Sequence, residues 1–94
     1  MTELTIFRLR IKGRVQGVGF RDWASEEASS RKLDGWIRNR SDGSVELLVA
    51  GSDEGVQDML RALTQGPPLA QVHNIDIHKE TDLPPAGFAR KPTL

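Results

Sequence analysis

The run Gly13-Arg14-Val15-Gln16-Gly17-Val18-Gly19-Phe20-Arg21 sets glycines 17 and 19 in a short loop and closes it with an arginine. It joins a strand-like segment to a helix-like one, an arrangement suited to holding a phosphate. Residues without a Cβ adopt positive φ without penalty, so successive backbone N–H groups can turn toward one point. Such a nest of amides beside a helix N-terminus binds an oxyanion through unpaired donors and the positive end of the helix dipole. Arg21 adds a planar fork of donors that matches phosphate geometry. Taken alone, Gly-x-Gly reads more simply as a turn with a surface arginine, because so short a motif recurs by chance.

A group that acts on the held phosphate is needed as well, and Asn39 is the candidate. It shares the parity of Ile37 in the strand-like run Trp36-Ile37-Arg38-Asn39, and Ile37 is expected to face the helices. Its side chain would then emerge where the glycine loop meets the first helix. A carboxamide can accept a hydrogen bond from water and donate others, so it can orient a water against a phosphoryl group. Taken alone, Asn39 reads as a strand-end residue ahead of Arg40-Ser41-Asp42-Gly43.

The elements that must position these groups are legible from periodicity. Thr5, Phe7, Leu9 and Ile11 alternate with Arg8, Arg10 and Lys12, a period of two that predicts a strand over 4–12 with one wet face. The loop leads into a helix over about 21–32, with Phe20, Ala24 and Ala28 at spacing four and Trp23 beside them. Asp34-Gly35 predicts a turn before the second strand. Ser41-Asp42-Gly43-Ser44 predicts a hairpin into a third strand through Val45, Leu47 and Val49. Ser52 is suited to cap a helix whose Val56, Met59, Leu60 and Leu63 share one face, ended by Gly66-Pro67-Pro68. A fourth strand follows over 70–79; Val72 and Ile75-x-Ile77 differ in parity, which predicts a bulge. Phe88 is placed to anchor a short last strand. The order β-α-β-β-α-β predicts an α+β fold, a ferredoxin-like sandwich with an antiparallel sheet and two helices on one face.

With 94 residues the chain is expected to form a single domain, 1–94. Thirteen basic and thirteen acidic side chains balance to zero net charge, which argues against attachment to nucleic acid or membrane by bulk charge. There is no cysteine, which excludes disulfides, thiolate metal sites and a cysteine nucleophile. No apolar run is long enough to span a bilayer, and the N-terminus lacks the charged-then-apolar pattern of a secretion signal. A cytoplasmic monomer is expected. His73 and His78 lie five apart on opposite faces of a strand, a poor arrangement for a shared metal.

In combination the motifs are specific. Gly13-x-Val15-Gln16-Gly17-Val18-Gly19-Phe20-Arg21, then Gly35-Trp36-Ile37-Arg38-Asn39, then Asp42-Gly43-Ser44-Val45-Glu46 closely resemble the acylphosphatase family. Gly51, Gly66-Pro67 and Ala70-x-Val72 also fit its pattern, so the resemblance runs from Leu9 to Phe88. The resemblance implies a ferredoxin-like sandwich, with Arg21 and Asn39 as the catalytic pair. It makes the amides of Gln16, Gly17, Val18, Gly19, Phe20 and Arg21 the phosphate cradle. The implied reaction is hydrolysis of a small-molecule acyl phosphate to a carboxylate and inorganic phosphate. A carboxylic acid has a pKa of about 4, so its anion departs without much help from a general acid. Neither the Gly13–Arg21 block nor the Gly35–Asn39 block, which carry the implied catalytic pair, holds a histidine or carboxylate, so catalysis reduces to positioning and charge stabilisation. No metal or other cofactor is implied.

Three positions depart from the family pattern. Arg31 and Lys32 stand where leucine and glycine are usual at the end of the first helix. A lysine in a left-handed cap costs on the order of 1 kcal/mol, and Arg31 is expected to lay its methylenes over the core edge. Asp22 puts a negative charge next to the anion site and is expected to point outward from the first turn. Trp36 is expected to be a packing residue, with the substrate's acyl side as its other possible neighbour. Two rival readings stay open. One is an RNA-binding module of the same element order, using Arg8, Arg10 and Lys12; it lacks aromatics on the central strands. The other is a non-catalytic domain that holds an acyl or carbamoyl phosphate for a larger enzyme, against which the short chain weighs.

Overall fold

A computed structural model describes residues 4–94. The first three residues of the expected domain, with that part of the N-terminal reading, lie outside the described residues. The alternation of the first segment becomes strand β1 (Leu4–Arg14), two residues longer than predicted, with Leu9 and Ile11 buried and Lys12 exposed. There follow α1 (Phe20–Ser30), β2 (Asp34–Asn39), β3 (Val45–Ser52), α2 (Asp53–Gln65), β4 (Gln71–Lys79) and β5 (Phe88–Arg90). The sheet order is β4-β1-β3-β2-β5. The first four strands pair antiparallel throughout, as the sandwich requires. The predicted bulge lies opposite the Lys12/Gly13 step, where the pairing passes from Asn74 to Val72.

One feature of the sheet differs from expectation. β5 joins β2 in parallel, Gly35 opposite Phe88 and Ile37 opposite Arg90, so the sheet is mixed rather than wholly antiparallel. A three-residue strand has too little alternation to reveal its direction, which is set by tertiary pairing.

One sheet face supplies Leu9, Ile11, Ile37, Val45, Leu47 and Val49 to the core. Against them lie Phe20, Ala24 and Ala28 of α1 and Val56, Met59 and Leu63 of α2. Both helices therefore cover the same face. Burying each large apolar side chain contributes about 1.5–3 kcal/mol, so these periodic positions decide the architecture. Ser52 caps α2, its Oγ accepting from the Gly55 N–H at 3.1 Å, and Gly66 ends the helix.

The exit from α1 explains two unusual residues. The Lys32 N–H donates to Ser29 O at 3.0 Å and the Leu33 N–H to Ala28 O at 3.0 Å. This is a Schellman closure, with Lys32 at φ 57° in the position that glycine usually fills. Arg31 reaches acidic side chains on both helices. It bonds Glu27 Oε1 at 3.1 Å and Asp58 Oδ2 at 2.7 Å, fastening α1 to α2. Because Arg31-Lys32 makes the reversal, Asp34-Gly35 is not the predicted turn: both residues belong to β2. Gly35 sits opposite Val49 at φ 140°, and a Cβ there would lie 1.8 Å from the Leu48 carbonyl oxygen. It is a point of close backbone approach.

On the face away from the helices, Glu46 is only 3% exposed. Its Oε1 accepts from Arg38 Nε at 2.7 Å and Arg40 Nη1 at 3.2 Å, and its Oε2 from Arg8 Nη1 at 3.3 Å. Burial pushes this carboxyl up, but the Arg38 hydrogen bond and charge, with Arg8 and Arg40, outweigh it and hold it below its ordinary 4.5. The folded state thus takes up this proton less readily than the unfolded chain. The stabilisation is complete above the unfolded value and is lost as pH falls through the folded one. The urea midpoint is expected to stay level from about pH 7 to 5.5 and to fall below about pH 4.5. Glu46→Gln should make that acid limb shallower. It should not abolish it, because Asp42 is held low by Ser44, Asp58 by Arg31 and Asp76 by Lys12. An acid limb of unchanged steepness in Glu46→Gln would remove Glu46 from the account.

Candidate active site

Residues 15–19 connect the end of β1 to α1, and buried side chains pin the loop at both ends. Val15 is 1% exposed and Phe20 2%. Between them Gly17 and Gly19 adopt φ of 72° and 77°, with nothing within 4 Å of a Cβ built at either. Glycine is required there by backbone direction rather than by space. Gly19 is also the N-cap of α1 and offers no side-chain cap, so the first N–H groups of the helix are left for another acceptor. The Gln16 carboxamide ties the loop down: its Nε2 donates to Arg40 O and Ser44 O, both at 2.8 Å. That tether joins the glycine loop to the β2–β3 turn, beside the end of the strand that carries Asn39.

The result is a hollow of about 100 Å³ lined by Val15, Gln16, Gly17, Gly19, Phe20, Arg21, Asp22, Asn39 and Arg90. Arg21, from the first turn of α1, and Asn39, from the last residue of β2, thus share one cavity although eighteen positions separate them in the chain. Asn39 Oδ1 is buried and has no hydrogen-bond partner among the described residues. Its backbone is fixed, paired with Val45 across the hairpin and accepting from the Leu94 N–H at 3.2 Å. Val18, named with the cradle from its sequence position, does not line the hollow; its side chain packs against the core.

Two charged residues complete the rim. Asp22 points outward from the first turn, as expected, and from there pairs with Arg90 at the edge of the hollow. No local pattern in the sequence marks Arg90, and only the parallel pairing of β5 with β2 brings it in. Trp36, by contrast, is absent from this hollow. It lies on the open face of the sheet beside Leu48 and the Pro84-Pro85 segment, with the Arg38 guanidinium 4.8 Å and the Lys91 ammonium 4.7 Å from its ring centroid. Trp23 packs edge-on to Phe20, ring centroids 5.5 Å apart, against the core. Among the described residues, no three His, Asp or Glu side chains are grouped so as to hold a metal ion, and no helix is long and apolar enough to cross a membrane.

The class of protein is set by a ferredoxin-like sandwich that brings Arg21, Asn39 and the glycine loop around one hollow at the N-terminus of α1. Comparison with known proteins makes the class specific. The acylphosphatase family model matches residues 7–90. The chain is 51% identical over 87 residues to the acylphosphatase of Acidiphilium cryptum strain JF-5, covering 90% of this chain and 93% of that one. It is 44% identical over 87 residues to the acylphosphatase of Rhizorhabdus wittichii strain RW1, covering 93% and 88%. The crystal structure of acylphosphatase from Bacillus subtilis superposes with a TM-score of 0.88 at 38% identity, covering 95% of this chain and 99% of that one. The chain belongs to the acylphosphatase family, and as a member of it is an enzyme, a hydrolase of acyl phosphates.

Proposed function

We propose that the hollow binds the phosphoryl group of a small acyl phosphate and that Asn39 directs water onto it. The observation that carries this reading is the meeting of Arg21, Asn39 and the glycine loop around one small cavity. Clefts that engulf a drug-sized ligand run to roughly 300–1,000 Å³, so this one suits a phosphoryl group with its acyl part left outside. The loop amides and the Arg21 guanidinium hold the equatorial oxygens. The buried Asn39 Oδ1 accepts a hydrogen bond from the attacking water and fixes its line of approach. Water forms a bond to phosphorus as the bond from phosphorus to the acyl oxygen breaks, and the electron pair leaves with the carboxylate. One acyl phosphate dianion and one water give one carboxylate and one dihydrogen phosphate, so atoms and charge balance. Arginine and backbone amides supply the positive charge, in the manner of preorganised stabilisation of a developing oxyanion.

A continuous assay with benzoyl phosphate tests the reading. Turnover is expected, with inorganic phosphate as a competitive inhibitor, and it should persist in excess EDTA because the charge compensation comes from the chain itself. Loss of turnover in chelator, restored by a divalent cation, would contradict this account of the site. The RNA-binding alternative asks for stacking rings on the central strands. Strand β3 has none, and Phe7 of β1 packs against the core.

A further inference from the structure

Resting on the mechanism above, we propose that Arg90 contacts the acyl end of the substrate and takes up charge on the departing carboxylate, with Asp22 as its positioning partner. Among the described residues, three charged side chains line the hollow: Arg21, Asp22 and Arg90. Arg90 reaches across the mouth from β5, and its Nη2 donates to Asp22 Oδ1 in the first turn of α1. The two side chains are 44% and 77% exposed, whereas Val15 and Phe20 behind the loop are buried. The pair therefore marks the outer end of the site.

Geometry and charge both point the same way. A cavity of about 100 Å³ holds the phosphoryl group, so the acyl part must project through the mouth, past the Arg90–Asp22 pair. Asp22 by itself is an unfavourable neighbour for a dianion, and Arg90 cancels it. With both present, the lining carries a net charge of one positive unit, two guanidinium groups less one carboxylate. Arg90 is held in place by its backbone as well, since it lies opposite Ile37 in the β2–β5 pairing, two residues from Asn39. As the bond from phosphorus to the acyl oxygen breaks, negative charge grows on that oxygen. A fixed cation there stabilises the transition state more than the bound substrate, which is the condition for raising kcat. A guanidinium can serve Asp22 and a carboxylate oxygen together, because it has five donors in one plane.

The test is a series of ring-substituted benzoyl phosphates whose leaving acids differ in pKa, run on the wild type, Arg90→Gln, Asp22→Asn and the double variant. Arg90→Gln is expected to lower kcat about tenfold for the weakest leaving acid and less for the strongest, the loss of one charge-assisted contact. The plot of log kcat against leaving-group pKa should therefore steepen. Inhibition by inorganic phosphate, which has no acyl end, should weaken less than kcat/KM falls. Asp22→Asn should tighten phosphate inhibition by removing a negative charge, and should move the slope toward that of Arg90→Gln by freeing the guanidinium. In the Arg90→Gln background Asp22→Asn should leave the slope unchanged. A wild-type slope in Arg90→Gln, or a further slope change from Asp22→Asn in the double variant, overturns the role assigned to Arg90 and leaves the parent mechanism standing. A wild type that turns over none of the series overturns both.

Discussion

Arg21→Ala is expected to lower kcat/KM for benzoyl phosphate by about two to three orders of magnitude, the loss of about 3–4 kcal/mol of barrier lowering that one well-placed donor supplies. It should do so in a folded protein. The side chain is only partly buried and takes no part in the core; among the described residues, the one hydrogen bond at this residue outside the regular helix runs from Ser25 Oγ to its backbone oxygen at 2.7 Å. Because Arg21 would grip the ground-state phosphate as well as the transition state, inhibition by inorganic phosphate should weaken with it.

Asn39→Ala is expected to produce a similar fall in kcat but to leave phosphate inhibition close to that of the wild type, since a water-directing amide is not part of the cradle. The stability change should be small. Asn39 Oδ1 has no hydrogen-bond partner among the described residues, so its removal breaks no such contact there and takes an unsatisfied acceptor out of a buried setting. Measuring kcat, phosphate Ki and the urea midpoint on both variants separates the two roles. Near-wild-type turnover in either folded variant would reject the assignment of that residue, and equal loss of phosphate affinity in both would reject the division of labour.

What the sequence made legible was whatever a local pattern encodes. The helical spacing of Val56, Met59 and Leu63 and the alternation of Leu9 and Ile11 are imposed by burial against a neighbouring layer, so they mark the elements and the core directly. The parity that joins Asn39 to Ile37 placed its side chain on the helix side of the sheet, where the hollow is found. The charged rim was not legible in this way. Asp22 does face outward from the first turn of α1, but nothing local shows that it pairs with a cation across the hollow; that partner comes 68 residues later, on a three-residue strand. The Gln16 tether was hidden for a related reason, since both its acceptors are backbone oxygens of the β2–β3 turn and leave no trace in residue type.

Gly35 is the instructive misreading, and the largest expected loss of stability follows from it. Asp-Gly is a strong turn signal, yet here the pair opens β2. A glycine in a strand instead marks a place where another backbone comes close. Gly35→Val would bring a Cβ to 1.8 Å from Leu48 O and 2.7 Å from its carbonyl carbon, both backbone atoms that cannot swing aside. It would also force a β-branched residue to a φ of 140°. The strands must separate or shift register, and a loss of about 4 kcal/mol is expected, a large share of the roughly 5–15 kcal/mol that holds a small domain folded. Gly17→Ala is the matched comparison, because its φ of 72° is also left-handed but the space around it is open. It should cost about 1 kcal/mol. Urea unfolding of the two variants at equal m-value reads the difference, and similar midpoints would mean that backbone conformation alone, not the approach of Leu48, demands glycine at position 35. Activity adds a second readout. β2 carries Asn39 at its far end, so any Gly35→Val protein that folds with its β2–β3 pairing displaced should show reduced kcat although no lining residue of the hollow has been changed.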